Sequence, residues 1–185
     1  FHHRTVEKTG LFLWGLPEHG KANGLPYFRL LCRLNFESMG ERSVSDLKNL
    51  ATQIRRDILR MVHGCQSGHP GGSLGCADFM VALYGKIMKH NPDFEMDGKG
   101  EDLFFLSNGH ISPLWYSTLA RSGYFELKEL TTFRRVNSRL QGHPATEEHL
   151  PGIRVASGSL GQGLSVAVGA ALTKKLNGEK TTVYV

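Results

Sequence analysis

At 185 residues, with 40% hydrophobic and 21% charged content, the chain has the material for one domain with a sizeable core. Its net charge of +5 and pI near 9.2 would suit a polyanion, but the basic residues are scattered through helical stretches without interleaved aromatics, which argues against nucleic acid and for phosphorylated small molecules. No apolar run nears the roughly 20 residues of a membrane span, and Cys32, Cys65 and Cys76 show no CxxC spacing, which excludes a zinc ribbon or disulfide framework and fits a reducing, cytoplasmic compartment.

Residues 1–38 carry neither a helix nor a strand period and end at Met39, where the pattern changes abruptly. That contrast predicts a non-native or disordered leader over 1–38, with Met39 as the native start and one domain over 39–185. From Ser45, Leu47, Leu50, Ala51, Ile54, Ile58, Met61 and Val62 recur at helical spacing, which predicts an amphipathic helix ending at Gly64. The glycine-rich segment SerGlyHisProGlyGlySerLeuGly (67–75) leads into the almost wholly apolar run 76–84, a second, buried helix expected to start near Ser73.

AspLeuPhePheLeuSer (102–107) reads as a buried strand, and SerAsnGlyHis (107–110) turns the chain into a helix with Ser112 as cap and Pro113 at its first position. Gly123 suits the stop of that helix, and 126–133 starts another. SerGlySerLeuGlyGlnGly (157–163) opens a helix with Leu164, Ala167, Val168, Ala171 and Leu172 on one face, and ThrThrValTyrVal (181–185) begins a further strand. The alternation predicts an α/β fold, a mainly parallel sheet with helices on both faces. An apolar strand as the last element is read as a domain incomplete at its C-terminus.

Three of the nine histidines, His69, His110 and His143, each follow a glycine in a loop between periodic segments. Core packing does not produce that recurrence. In parallel α/β sheets the loops at the carboxyl ends of strands gather at one edge, so three such imidazoles can meet one ligand, and imidazole donates hydrogen bonds to phosphate and hydroxyl groups in either charge state. For any one of them a structural turn histidine is the simpler reading; the recurrence favours function. A metal site is the weaker alternative, since no two share a helix face and no carboxylate accompanies them. Gly158, Ser159 and Leu160 lie in a segment with the composition of a phosphate cradle at a helix N-terminus, although glycines for close helix-on-sheet packing explain it equally well.

Taken together, SerGlyHisProGlyGlySerLeuGly (67–75), LeuSerAsnGlyHis (106–110), GlnGlyHisPro (141–144) and GlySerLeuGlyGlnGly (158–163) resemble, in order and spacing, the N-terminal, thiamine diphosphate-binding domain of transketolases, from about Asp46 to Val185. HisIleSerProLeuTrpTyr (110–116) and Ser159 look more like the bacterial split form, whose halves are separate polypeptides. The resemblance implies the thiamine diphosphate-binding fold and transfer of a two-carbon ketol unit from a ketose phosphate to an aldose phosphate, in the pentose phosphate pathway. It implies that His69 and His143 are catalytic groups at the sugar hydroxyls, that His110 reaches the cofactor's diphosphate, and that Gly158, Ser159 and Leu160 line its rings. It implies Mg2+ as a second cofactor, with ligands in a GlyAspGly segment expected after Val185, and a triggering glutamate on a pyrimidine-binding domain or C-terminal subunit. The complete enzyme is expected to be a homo-oligomer, and the 185-residue polypeptide by itself inactive. The rival expectations are another thiamine diphosphate enzyme, such as a dihydroxyacetone synthase, and a non-catalytic remnant or interaction module that keeps the fold without its chemistry.

Overall fold

The computed structural model describes residues 42–185, so the leader over 1–38, Met39 and Cys32 lie outside the described residues. The first helix, α1, runs Val44–Cys65. Ser43 starts it with a reciprocal cap: its hydroxyl accepts from the Asp46 N–H at 3.2 Å, and the Asp46 carboxylate accepts from the Ser43 N–H at 3.1 Å. The helix buries Ala51, Ile54, Ile58 and Met61, the face that the apolar spacing predicts. It ends one residue past the expected Gly64, and the turn is made by Gln66 in the left-handed conformation (φ 51°).

The expected second helix is two short ones, α2 (Pro70–Gly75) and α3 (Ala77–Ala82), followed by a π-helical turn over Leu83–Ile87. It starts at Pro70, whose ring is set for a first turn, and not at Ser73. It breaks at Cys76, after a stretch containing Gly71, Gly72 and Gly75, residues that weaken a helix interior. Nor is it buried all round, since Phe79 is 57% exposed.

Only Leu103–Phe104 (β1) and Val183–Tyr184 (β2) are strands among the described residues, and they pair in parallel, Leu103 opposite Val183 and Phe104 opposite Tyr184. The expectation of a mainly parallel sheet is therefore corrected to a mostly helical chain around a two-stranded parallel sheet. The apolar run 102–107 has one neighbouring strand, and that partner offers two residues of register. The alternation along the run still sorts its side chains: Phe104 and Leu106 join the main core with Tyr84 and Trp115, while Leu103 and Phe105 pack with Ala167 on the opposite side.

A 3-10 turn over Gly109–Ile111 leads into α4 (Ser112–Arg121), whose residues Ser112 to Ala120 are all buried. Each large apolar side chain there, such as Leu114, Trp115 and Leu119, contributes about 1.5–3 kcal/mol on burial. Ser112 does not cap it, because the preceding turn already delivers the chain in helical geometry, and its hydroxyl donates instead to the Gly142 carbonyl at 2.7 Å. Gly123 (φ 91°) stops α4 as expected. The segment expected as a helix over 126–133 is a 3-10 helix, Leu127–Thr132, and another 3-10 turn covers Thr146–Glu148. The last helix, α5 (Gln162–Leu176), packs on the sheet through Val166, Ala167 and Ala170, while Leu164, Val168 and Leu172 face outward. Lys174 anchors its end, donating to the Gly98 carbonyl at 2.9 Å and to Glu179 at 2.8 Å.

Candidate functional site at the loop junction

Four loops meet at the carboxyl end of β1. The first follows α1, where Gly68, at φ 131°, adopts a conformation that L residues rarely take and packs against Val62, so the chain folds back to present His69. The Ser73 hydroxyl, fully buried, donates to the His69 carbonyl at 3.0 Å and fixes that turn. The second is Ser107–His110. The third, Gln141–Pro144, hangs from α4: the Tyr116 hydroxyl donates to the Gln141 carbonyl at 2.9 Å, beside the Ser112 bond to Gly142. The fourth, Ser157–Gly161, is tied to the third by the Ser157 N–H on the Pro144 carbonyl (3.0 Å) and to the second by the Gly161 N–H on the Ser107 carbonyl (3.3 Å).

The structure brings the histidines of three separate loops together. The rings of His69 and His110 meet edge to face with centroids 5.3 Å apart. His143 lies against Gly158, where a Cβ would stand 3.8 Å from the imidazole Cδ2. Loss of water first, and then the positive fields of Arg134, His69 and His110, hold the His143 imidazole below the ordinary histidine range. Near neutral pH it is thus mostly the free base, able to accept a proton. His69 and His143 are exposed and His110 is half-buried, so all three face an opening and not the core. Among the described residues no group of three or more His, Cys, Asp or Glu has the geometry of a metal site.

Gly158, Ser159 and Leu160 are exposed beside these rings, Leu160 at 69%. Leu160 also borders an apolar hollow of about 330 Å³, walled by Phe79, Phe104, Leu106 and Val185 and floored by Ser107 and Asn108. The first turn of α5, next to it, has no side-chain cap; the Gln162 N–H is already on the Ser159 carbonyl and the Leu164 N–H on the Gly161 carbonyl, so what it offers a ligand is the positive end of the helix dipole. Buried hydroxyls of Ser107 and Ser157 have no partner. The arrangement suits a ligand with an apolar ring system and an anionic end: an apolar wall, imidazole donors and a helix N-terminus within one junction.

Sequence reasoning gave no site role to Arg134, Ser107, Ser157 or Ser73, although the last three lie in or beside its motifs. Arg134 donates from Nη1 to the Ser67 hydroxyl at 2.7 Å, across 67 positions of chain, a pairing that no local pattern announces. Ser73 carried a signal, since a small polar residue inside a glycine-rich turn is a common backbone anchor.

The model of the family described as transketolase, thiamine diphosphate binding domain, matches residues 47–182. Among characterised proteins, a transketolase from Buchnera aphidicola is 44% identical over 129 residues, covering 69% of this chain and 19% of the relative, and transketolase 2 of Escherichia coli is 42% identical with the same coverage. Among solved structures, the transketolase of Leishmania mexicana superposes with a TM-score of 0.65 at 37% identity, over 69% of this chain and 19% of that one. A Pichia stipitis transketolase in complex with sedoheptulose 7-phosphate gives 0.67 at 36% identity, over 77% and 22%. The chain thus spans about a fifth of the length of these relatives. With most of its residues matched, the chain belongs to the family of transketolase thiamine diphosphate-binding domains.

Proposed function

We propose that this chain forms the diphosphate-binding side of an active site that moves a two-carbon ketol unit between sugar phosphates. The observation that carries this reading is the meeting of His69, His110 and His143 from three loops beside the exposed turn 158–160. The hollow at Leu160, the uncapped start of α5 and the imidazole donors fit thiamine diphosphate, whose flat aromatic rings can rest on an apolar wall and whose tail is anionic. When bound, that cofactor supplies the electron sink for carbon–carbon cleavage.

The chain's own residues then have distinct tasks. His110 donates to the anionic tail, and the positive end of the α5 dipole favours its charge. Leu160 supports the rings, and Gly158 and Ser159 bring bare backbone against them. His69 and His143 donate to the hydroxyls of the sugar and exchange protons there through their ring nitrogens; the neutral state of His143 leaves a ring nitrogen free to accept. The enclosing loops keep water from the reacting centre once a pyrimidine-binding domain or C-terminal subunit closes over them. Among the described residues no cluster of His, Cys, Asp or Glu would hold a metal ion, so a divalent cation offsetting the diphosphate charge would need ligands from elsewhere in the assembly. The working enzyme is a cytoplasmic homo-oligomer.

The test is a ketol-transfer assay on the intact assembly, with a ketose phosphate donor and an aldose phosphate acceptor. His69→Ala and His143→Ala are expected to lower kcat by roughly a hundredfold or more, the range for a lost acid–base group. His110→Ala is expected to weaken thiamine diphosphate binding in titration calorimetry. Full activity in all three variants would refute the assignment.

A further inference from the structure

Arg134 carries a backbone angle that few residues with a side chain adopt, φ 56°, in the left-handed region. It opens a loop that closes on itself where the Arg134 N–H donates to the Leu140 carbonyl at 2.9 Å. Such strained residues persist where surrounding contacts over-determine them. The contacts here belong to two of the histidine loops. Nη1 donates to the Ser67 hydroxyl at 2.7 Å, two residues before His69. The guanidinium also lies against Gly142, next to His143: a Cβ at 142 would stand 2.9 Å from Cζ and 3.0 Å from Nε and Nη2. Its Cζ is 5.5 Å from the centre of the buried Phe133 ring, which steadies it from below.

We propose that Arg134 is a positioning residue: one planar group wedged between Ser67 and Gly142 sets the spacing of His69 and His143, and with it the pose of a ligand held by both. The proposal rests on the reading that the two histidines share a sugar ligand. Lysine cannot replace this wedge, because a point charge on a flexible stem lacks the flat fork that fills the gap between the loops. The charge itself has a separate effect, since Arg134, His69 and His110 are the charged or titratable groups whose fields reach His143.

Three variants of the intact holoenzyme, loaded with thiamine diphosphate and Mg2+, separate these effects: Arg134→Lys, Arg134→Gln and Gly142→Ala. The measurements are side-chain NMR of labelled histidines, steady-state kinetics with a ketose phosphate donor, and the pH profile of kcat/KM. Arg134→Lys is expected to move the ring resonances of both His69 and His143, leave those of His90 in the core unmoved, and lower kcat/KM by roughly ten- to a hundredfold, the scale of ångström misplacement. Its pH profile stays in place because the charge remains, whereas Arg134→Gln shifts the His143 limb upward. Gly142→Ala meets only the flexible end of Arg134, so it folds and reproduces the effects of the lysine variant with every charge intact. Parental resonances for His69 and His143 in Arg134→Lys and Gly142→Ala, or parental kcat/KM, overturn the proposal. Moved resonances in an enzyme that transfers no ketol group at all uphold the positioning and sink the functional reading instead.

Discussion

Gly109 is pressed against the backbone of Ser157: a Cβ on Gly109 would stand 2.7 Å from both the Ser157 carbonyl carbon and its hydroxyl oxygen, with the carbonyl oxygen nearer still. The contact joins the loop that carries His110 to the loop that opens onto Gly158. Gly109→Ala therefore forces two backbones apart, and because neither wall is a flexible side chain the strain cannot be relieved cheaply. A loss of about 1–3 kcal/mol is expected, the usual range for overpacking, with the His110 ring displaced from His69. Urea unfolding and histidine NMR check both, and an alanine variant as stable as the parent would show that the loops separate without cost.

The histidine loops were legible because glycine and histidine in turns are local signals, and the helical period of α1 was legible because one face is buried along its length. The sheet was not, since an apolar run such as 102–107 announces burial but cannot announce how many partners it will find. Ser112 misled for a related reason: a serine before proline has the look of a cap, yet its hydroxyl serves Gly142, 30 positions away. Arg134 was illegible twice over, through a left-handed angle contrary to its preference and a partner far along the chain.

Asp57 is a buried carboxylate at the centre of the helical core. It accepts from Arg121 Nε at 2.6 Å and from the Ser117 hydroxyl at 2.8 Å, and Arg60 lies 3.4 Å from its other oxygen. Replacing it with alanine leaves Arg121, whose side chain is only 19% exposed, without its counter-charge. Breaking one side of such a pair costs roughly 3–5 kcal/mol. Asp57→Ala is expected to shift chemical unfolding by that amount, and Arg121→Met combined with it to recover part of the loss. If the double variant is less stable than the single one, the unpaired cation is not the source of the cost.

His90 gives the fold an acid-sensitive point. Its Nε2 lies 3.0 Å from the Tyr84 carbonyl, which can only accept, so Nε2 carries the proton and Nδ1 accepts from the Tyr124 hydroxyl at 3.1 Å. Burial is the main force holding this imidazole below its ordinary value of 6.5. The folded state thus favours the neutral ring, its contribution is complete above that value, and it is lost as pH falls toward the lowered one. The unfolding midpoint in urea is expected to drop between about pH 7.5 and about pH 5.5, and His90→Phe to narrow that drop while lowering stability at both ends. An equal drop in the variant would assign the acid sensitivity elsewhere.

Leu164, Val168 and Leu172 repeat every four residues along α5 and are 54%, 53% and 56% exposed, an outward apolar stripe parallel to the packed one of Val166, Ala167 and Ala170. Stripes of this kind on a single chain promote association, since burying them removes apolar area from water at about 25 cal/mol per Å². The 185-residue polypeptide is therefore expected to bind a hydrophobic dye and to self-associate with rising concentration. Val168→Glu and Leu172→Lys should weaken both without loss of helix, because neither residue touches the sheet-facing contacts and the new pair keeps the helical spacing of opposite charges, i to i+4. Dye fluorescence, sedimentation velocity and circular dichroism read the three effects separately. Undiminished dye binding with helix content intact would place the exposed apolar surface away from α5, and a collapse of helix content would mean that the stripe supports the fold from within.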